Sequence, residues 1–169
     1  MATNSPDSNS KLLDRGKGTR RLAGAFIVLV KTEWNANIVD ELEKGCVAEL
    51  KNQQVKKIVI LTVPGAVEIP FAVKSYWQHT AKKKRPDAFI ALGCVVKGDT
   101  PHFDYVCKAV TDGVVQLNLE LPVPTIFGVL TVNNEQQALE RIGGKHGHKG
   151  EEAAITALKM VSLRHSFKK

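Results

Sequence analysis

The segment GCVVKGDTPHFDYV at 93–106 brings small residues, an acid and a histidine together in one short stretch of chain. Thr100-Pro101 reads as a helix start, with Thr100 at the N-cap and Pro101 at the first helical position. The free backbone N–H groups of such a start, at the positive end of the helix dipole, form a ready site for phosphate or carboxylate. Gly98 lets the backbone approach a ligand closely. Asp99 and Thr100 fall in this turn, and His102 in the first helical turn is a general-base candidate. The simpler reading of the same residues is a capped helix with an exposed histidine.

Three other segments carry polar chemistry. In GAVEIP at 65–70, Gly65 and Ala66 leave room for a flat ligand, and Glu68 can accept hydrogen bonds from ligand hydroxyls. Trp34, at the polar end of a short apolar run, can stack on a planar ring or pack beneath the following helix. Towards the C-terminus, ERIGGKHGHKGE at 140–151 is a glycine-rich cationic break in which Arg141 and Lys149 can hold a phosphate, Arg through two parallel hydrogen bonds and Lys as a point charge. His146 and His148 in that break have no third ligand nearby in sequence, so a metal site is not expected.

These segments need a scaffold that gathers them. Apolar strand-length runs at Ala25–Val30, Lys57–Val63, Ala88–Leu92 and Thr125–Leu130 alternate with helical patterns. The helices are expected through Ile38, Leu42, Cys46 and Leu50, then over Glu68–Ala81, Pro101–Leu119, Glu135–Ile142 and Glu151–Leu163. Near-continuous apolar strands separated by helices predict a parallel sheet covered on both faces, a three-layer α/β/α sandwich with a mainly four-stranded central sheet. Ligands bind such sheets outside the carboxyl ends of the strands, where Trp34, the 65–68 turn, the 93–102 loop and Leu130-Thr131 would collect. Neither a Gly-x-Gly-x-x-Gly turn nor a Walker-type loop is present, which removes the expected motif for a dinucleotide or nucleoside triphosphate.

At 169 residues with 43% hydrophobic content, the chain suits one domain with a full core. Residues 1–21 have little to bury and are expected to form a flexible arm preceding a domain over 22–169. No run approaches a membrane span, and the N-terminus lacks the apolar core of a secretion signal, so the expected location is cytoplasmic. Cys46, Cys94 and Cys107 have no disulfide or zinc spacing. The formal charge of +7 raises the possibility of nucleic acid. However, the cationic run Lys82-Lys83-Lys84-Arg85 is short, has no interleaved aromatics and fits a solvated face.

Trp34-Asn35, GAVEIP, GCVVKGDTPHFDYV, IFGVLT at 126–131 and QQALERIGGKHGHKGEEAAITALKM at 136–160 together resemble the 6,7-dimethyl-8-ribityllumazine synthase family, in order, over nearly all of 22–163. The resemblance implies flavodoxin-like topology. It also implies a transferase that condenses 5-amino-6-(D-ribitylamino)uracil with 3,4-dihydroxy-2-butanone 4-phosphate to the lumazine, the penultimate step of riboflavin biosynthesis, without cofactor or metal. By the same resemblance Trp34 stacks on the pyrimidine, Ala66, Val67 and Glu68 line the ribityl chain, and Cys94, Val95 and Val96 face the uracil. Asp99, Thr100 and Arg141 bind the substrate phosphate, and His102 transfers protons. Phe127 and Lys149 come from a neighbouring subunit.

Some positions depart from the family's commonest pattern. Trp34 stands where Phe is usual, which is expected to strengthen flavin or lumazine binding. Val67 replaces a frequent aromatic, Lys97 a common Arg, and His148 a usual Asn. The family assembles as pentamers, free or as twelve-pentamer shells, and the short KHGHKG connection leans towards a 60-subunit shell, with riboflavin synthase as a candidate partner.

Overall fold

Strand-length runs of branched apolar residues suit burial on both faces, as in the runs over 26–32 and 88–96, whereas the run over 57–63 stays partly exposed. The computed structural model describes Leu22 and residues 24–167. The arm expected over 1–21 lies outside the described residues. In chain order the elements are β1 (Phe26–Thr32), α1 (Ala36–Asn52), β2 (Lys57–Val63), α2 (Ile69–His79), β3 (Ala88–Val96), α3 (His102–Glu120), β4 (Thr125–Val132), α4 (Glu135–Leu139), β5 (Ile142–Gly144), β6 (Gly147–His148) and α5 (Lys149–Ser166). Single turns of 3-10 helix occupy Ala66–Glu68 and Lys82–Lys84.

The four long strands form one sheet in the order β2-β1-β3-β4. All of its pairings are parallel, for example Leu29 with Ile60, Leu29 with Ile90, and Ile90 with Ile126. The period-2 alternation of side chains divides the core between the two faces. Ile27, Leu29, Ile90 and Leu92 pack with Cys46, Leu50, Leu158 and Val161 beneath α1 and α5. Val28, Val30, Phe89 and Ala91 pack with Ile69, Val73, Val110 and Val114 beneath α2 and α3. A third cluster joins Ile38, Leu42, Cys94, Leu130 and Ala138 near the carboxyl ends of the strands. Each fully buried Leu, Ile or Phe contributes roughly 1.5–3 kcal/mol. The result is the expected three-layer sandwich, with flavodoxin-like topology.

The long helices follow the pattern read from the sequence. α1 turns Ile38, Leu42, Cys46 and Leu50 inward at four-residue spacing. α5 buries Ala153, Ala154, Ala157 and Leu158, and the three alanines allow close approach to α1. Gly150 takes this furthest, because a methyl group there would overlap the carbonyl of Leu42.

Three local expectations require correction. β3 runs on through Gly93–Val96, so the first four residues of the 93–106 segment are strand rather than loop. They extend because β4 continues alongside, pairing Cys94 with Leu130 and Val96 with Val132. Thr100 does not cap α3: the helix begins at His102, Pro101 occupies the cap, and among the described residues no side chain caps the helix. The helix expected over 135–142 stops at Leu139, and Ile142–His148 forms a small antiparallel hairpin, β5 with β6. Gly143 and Gly147 make this turn possible by adopting positive φ of 111° and 76°.

Candidate active site

In a parallel sheet of this order the chain leaves β1 towards β2 on one side, while β3 lies on the other, and the carboxyl ends part to leave a crevice. The crevice here is a cleft of about 660 Å³. β1 delivers Thr32, Trp34 and Asn35; the turn after β2 delivers Gly65, Ala66, Val67 and Glu68; β3 delivers Cys94, Val95 and Val96; and the start of α3 delivers Thr100, His102, Phe103 and Val106.

Hydrogen bonds hold the turn after β1 firmly. Trp34 N donates to the Pro64 carbonyl at 3.2 Å, and Thr32 Oγ1 donates to the Trp34 carbonyl at 3.2 Å. Asn35 adopts the left-handed conformation, φ 57° and ψ 44°, which Asn tolerates better than most residues. Its Nδ2 donates to the Cys94 carbonyl at 2.8 Å, bridging β1 and β3 across the crevice. The bridge fixes the backbone beside Trp34, whose side chain lines the cleft mouth and is 73% exposed, so it can stack on a planar ligand. Trp34 is therefore not a packing residue under α1.

The other walls follow from equally local causes. Gly65 is extended, and a Cβ there would lie 2.9 Å from Glu68 Oε2, so the missing side chain is what lets the carboxylate fold back over the turn. Cys94 is buried beside the cleft, and burial, helped by the charge of Glu135, pushes its thiol up to about 11. It is a wall residue, because the nucleophilic form is the thiolate. His102, the first residue of α3, is exposed beside amides that no side chain occupies. Asp99 is exposed on the preceding loop and does not line the cleft.

The remaining site candidates lie elsewhere. Phe127, Arg141 and Lys149 line a second concavity of about 570 Å³ along the outer edge of β4, which pairs only with β3 among the described residues, bordered by α5. The two concavities share no lining residue. Lys149 N donates to the Arg141 carbonyl at 2.8 Å, which sets the two cationic residues opposite each other at the base of the hairpin. Arg141 Nη1 donates to the Gln137 carbonyl at 2.8 Å, and Lys149 Nζ pairs with Glu152 at 2.7 Å. Arg141, grouped with Thr100 on the sequence reading, thus lies with Phe127 and Lys149 in this chain.

Sequence reading missed the bridging role of Asn35 and the contribution of Thr32, Phe103 and Val106 to the cleft walls. An Asn before a helix is an N-cap signal, but here its side chain is spent on β3 and leaves the helix uncapped. His146 lies 3.6 Å from Glu140, and among the described residues no three His, Cys, Asp or Glu side chains gather to hold a metal ion. No helix among the described residues is long and apolar enough to cross a membrane.

Fold and cleft define a flavodoxin-like α/β protein that presents an aromatic face, a carboxylate and a histidine at a sheet switch point. Comparison with known families sharpens this. Residues 24–165 match the family of 6,7-dimethyl-8-ribityllumazine synthase. The 6,7-dimethyl-8-ribityllumazine synthase of Parabacteroides distasonis is 49% identical over 81% of this chain and 84% of its own length. That of Porphyromonas gingivalis is 50% identical over 81% and 84%. That of Flavobacterium psychrophilum is 43% identical over 93% and 82%. The chain belongs to the 6,7-dimethyl-8-ribityllumazine synthase family, transferases of riboflavin biosynthesis.

Proposed function

We propose that this chain condenses 5-amino-6-(D-ribitylamino)uracil with 3,4-dihydroxy-2-butanone 4-phosphate to 6,7-dimethyl-8-ribityllumazine, releasing phosphate and water. The observation that carries this reading is the convergence of Trp34, Glu68 and His102 on one cleft. Trp34 stacks on the pyrimidine, with Cys94, Val95 and Val96 along its edge. Ala66, Val67 and Glu68 receive the ribityl chain, with the Glu68 carboxylate accepting from its hydroxyls. The amides at the start of α3, which no described side chain caps, receive the substrate phosphate together with Thr100, and Asp99 acts from the loop just outside the cleft lining.

The 5-amino group attacks the ketone, and loss of water gives an imine. Elimination then expels the phosphate, and the ribityl-bearing amine closes the second ring with loss of a second water. His102 moves protons in these steps, a contribution of about 10² to 10⁴-fold. Holding two substrates in one orientation contributes more, on the order of 7–11 kcal/mol in favourable cases. No cofactor or metal enters this sequence.

Arg141, Phe127 and Lys149 serve the cleft of an adjacent subunit, Arg141 on the phosphate and Phe127 over the ring. Their grouping on an exposed sheet edge, away from His102, supports a site completed between subunits. We propose a cytoplasmic pentamer that assembles further into a 60-subunit shell, able to accompany riboflavin synthase. The test is to mix purified protein with both substrates and follow lumazine absorbance and fluorescence above the slow uncatalysed rate. Acceleration that vanishes when the butanone phosphate is omitted supports the reaction, and no acceleration by a folded, assembled sample overturns it. Sedimentation then decides between pentamer and shell.

A further inference from the structure

His148 lies between Arg141 and Lys149, two residues proposed to serve the cleft of an adjacent subunit, without being one of them. It pairs with Ile142 across the hairpin, one residue beyond Arg141 on one strand and one before Lys149 on the other. Its Nδ1 accepts from the Gly150 amide at 3.2 Å, which makes it the N-cap of α5. An imidazole can cap in this way only through the lone pair of its neutral form, with the ring proton on Nε2.

The ring is held from the other side by α1. A methyl group at position 45 would overlap the Nδ1, Cε1 and Nε2 atoms of His148, so the edge of the imidazole rests on the bare backbone of Gly45. Two residues further on, Gly150 is seated against the Leu42 carbonyl. The step from hairpin to helix is therefore clamped to one buried stretch of α1 at both ends, through two glycines that accept nothing larger. Lys149 lies inside that step, and the hydrogen bond its backbone N–H donates to the Arg141 carbonyl transmits the clamp across the hairpin.

We infer that His148 is a positioning residue: by capping α5 while seated on Gly45 it sets the relative placement of Arg141 and Lys149, and with it the affinity of the site for the phosphorylated substrate. The inference rests on the proposed function, which assigns those two cations to substrate. His148 itself touches no substrate. A general cap stabilises a helix wherever it lies, whereas this one acts on the two cations at the hairpin base.

The test uses the full-length assembled enzyme with His148→Ala, His148→Gln, His148→Asn and, as a control in the same loop, His146→Ala. KM for the butanone phosphate is expected to rise about tenfold in the Ala and Gln variants, with kcat within about twofold, since small displacements of positioning groups are costly. Asn, which can place a side-chain oxygen on the Gly150 amide, restores KM to near wild type, and His146→Ala leaves it unchanged. Calorimetric binding of inorganic phosphate reads the same placement without turnover and weakens in parallel. Unchanged KM and phosphate affinity in His148→Ala and His148→Gln overturns the role, as does an Asn variant no better than Gln. If the alanine variant does not fold, the Gln and Asn pair decides alone. Wild-type turnover and a raised KM in Arg141→Ala test the underlying reading separately, so a flat His148 series with those intact removes only the positioning role.

Discussion

The crevice over β1 and β3 and the concavity along β4 divide the reactive groups of this chain by kind. The first holds an exposed indole, a carboxylate and a histidine beside open helix amides, while the second holds Arg141, Lys149 and Phe127. The crevice is supported at close range: the Asn35 bridge ties strand to strand, and Glu68 folds over Gly65. The cations stand on a short hairpin at the sheet's edge, positioned by main-chain bonds and by contact with α1. Half of the chemistry is thus built into the sheet, and the other half is offered outward. On the proposed reading, two copies of the chain are needed to unite them.

The largest effect expected from testing this division is at His102. His102→Ala should lower kcat by about 10² to 10⁴-fold yet leave turnover above the uncatalysed rate, because orientation survives. Lumazine formation by an intact assembly measures it, and complete loss would show that proton transfer, not orientation, dominates. Arg141→Ala should raise KM for the butanone phosphate about 10- to 100-fold, the cost of losing charged hydrogen bonds. Assemblies that mix His102→Ala with Arg141→Ala subunits should regain activity at sites pairing one intact half from each. Mixed assemblies no better than either parent would place both halves in one chain.

Smaller effects separate core from cleft. Gly150→Ala drives a methyl into the Leu42 carbonyl and should cost about 1–3 kcal/mol in denaturant unfolding. Gly98→Ala, with nothing within 4 Å of the added carbon, should stay within about 0.5 kcal/mol. Trp34→Phe keeps a ring at the cleft mouth and should weaken riboflavin binding by about 0.5–1.5 kcal/mol in a fluorescence titration, whereas equal affinities would remove any advantage of the indole.

The smallest effect is alkaline. Burial pushes Cys46 up to about 12 and Cys94 up to about 11, so both thiols keep protons that the unfolded chain releases near pH 9. A raised folded value gives stability that is complete below the unfolded value and is lost as pH rises through the folded one. Unfolding free energy should therefore decline between about pH 9 and 11, less steeply in Cys94→Ala than in wild type.

Much of this architecture was legible in the residue order. Strand-length runs such as Ala88–Leu92 and the four-residue recurrence from Ile38 to Leu50 depend on local periodicity, and the sheet and its helices follow from them. Trp34, Glu68 and His102 were legible as residues of one rim because each follows a strand, and strands of a parallel sheet end on one rim. The boundaries were less so. β3 outruns its apolar core because β4 pairs with Gly93–Val96, and the Ile142–His148 hairpin replaces the end of a helix because Arg141 and Lys149 bond across it. Such contacts join residues distant in sequence or depend on glycine conformations that composition leaves open.

Residue order alone therefore determined the layers, the rim and the chemistry available there, since each depends on which side chains recur at which spacing. Tertiary structure alone decided that Asn35 bridges to Cys94 instead of capping its helix, that His148 rests on Gly45, and that Arg141 and Lys149 lie with Phe127 away from His102. Each of these is a choice between partners made possible only when separate elements meet, and packing against a particular neighbour settles it.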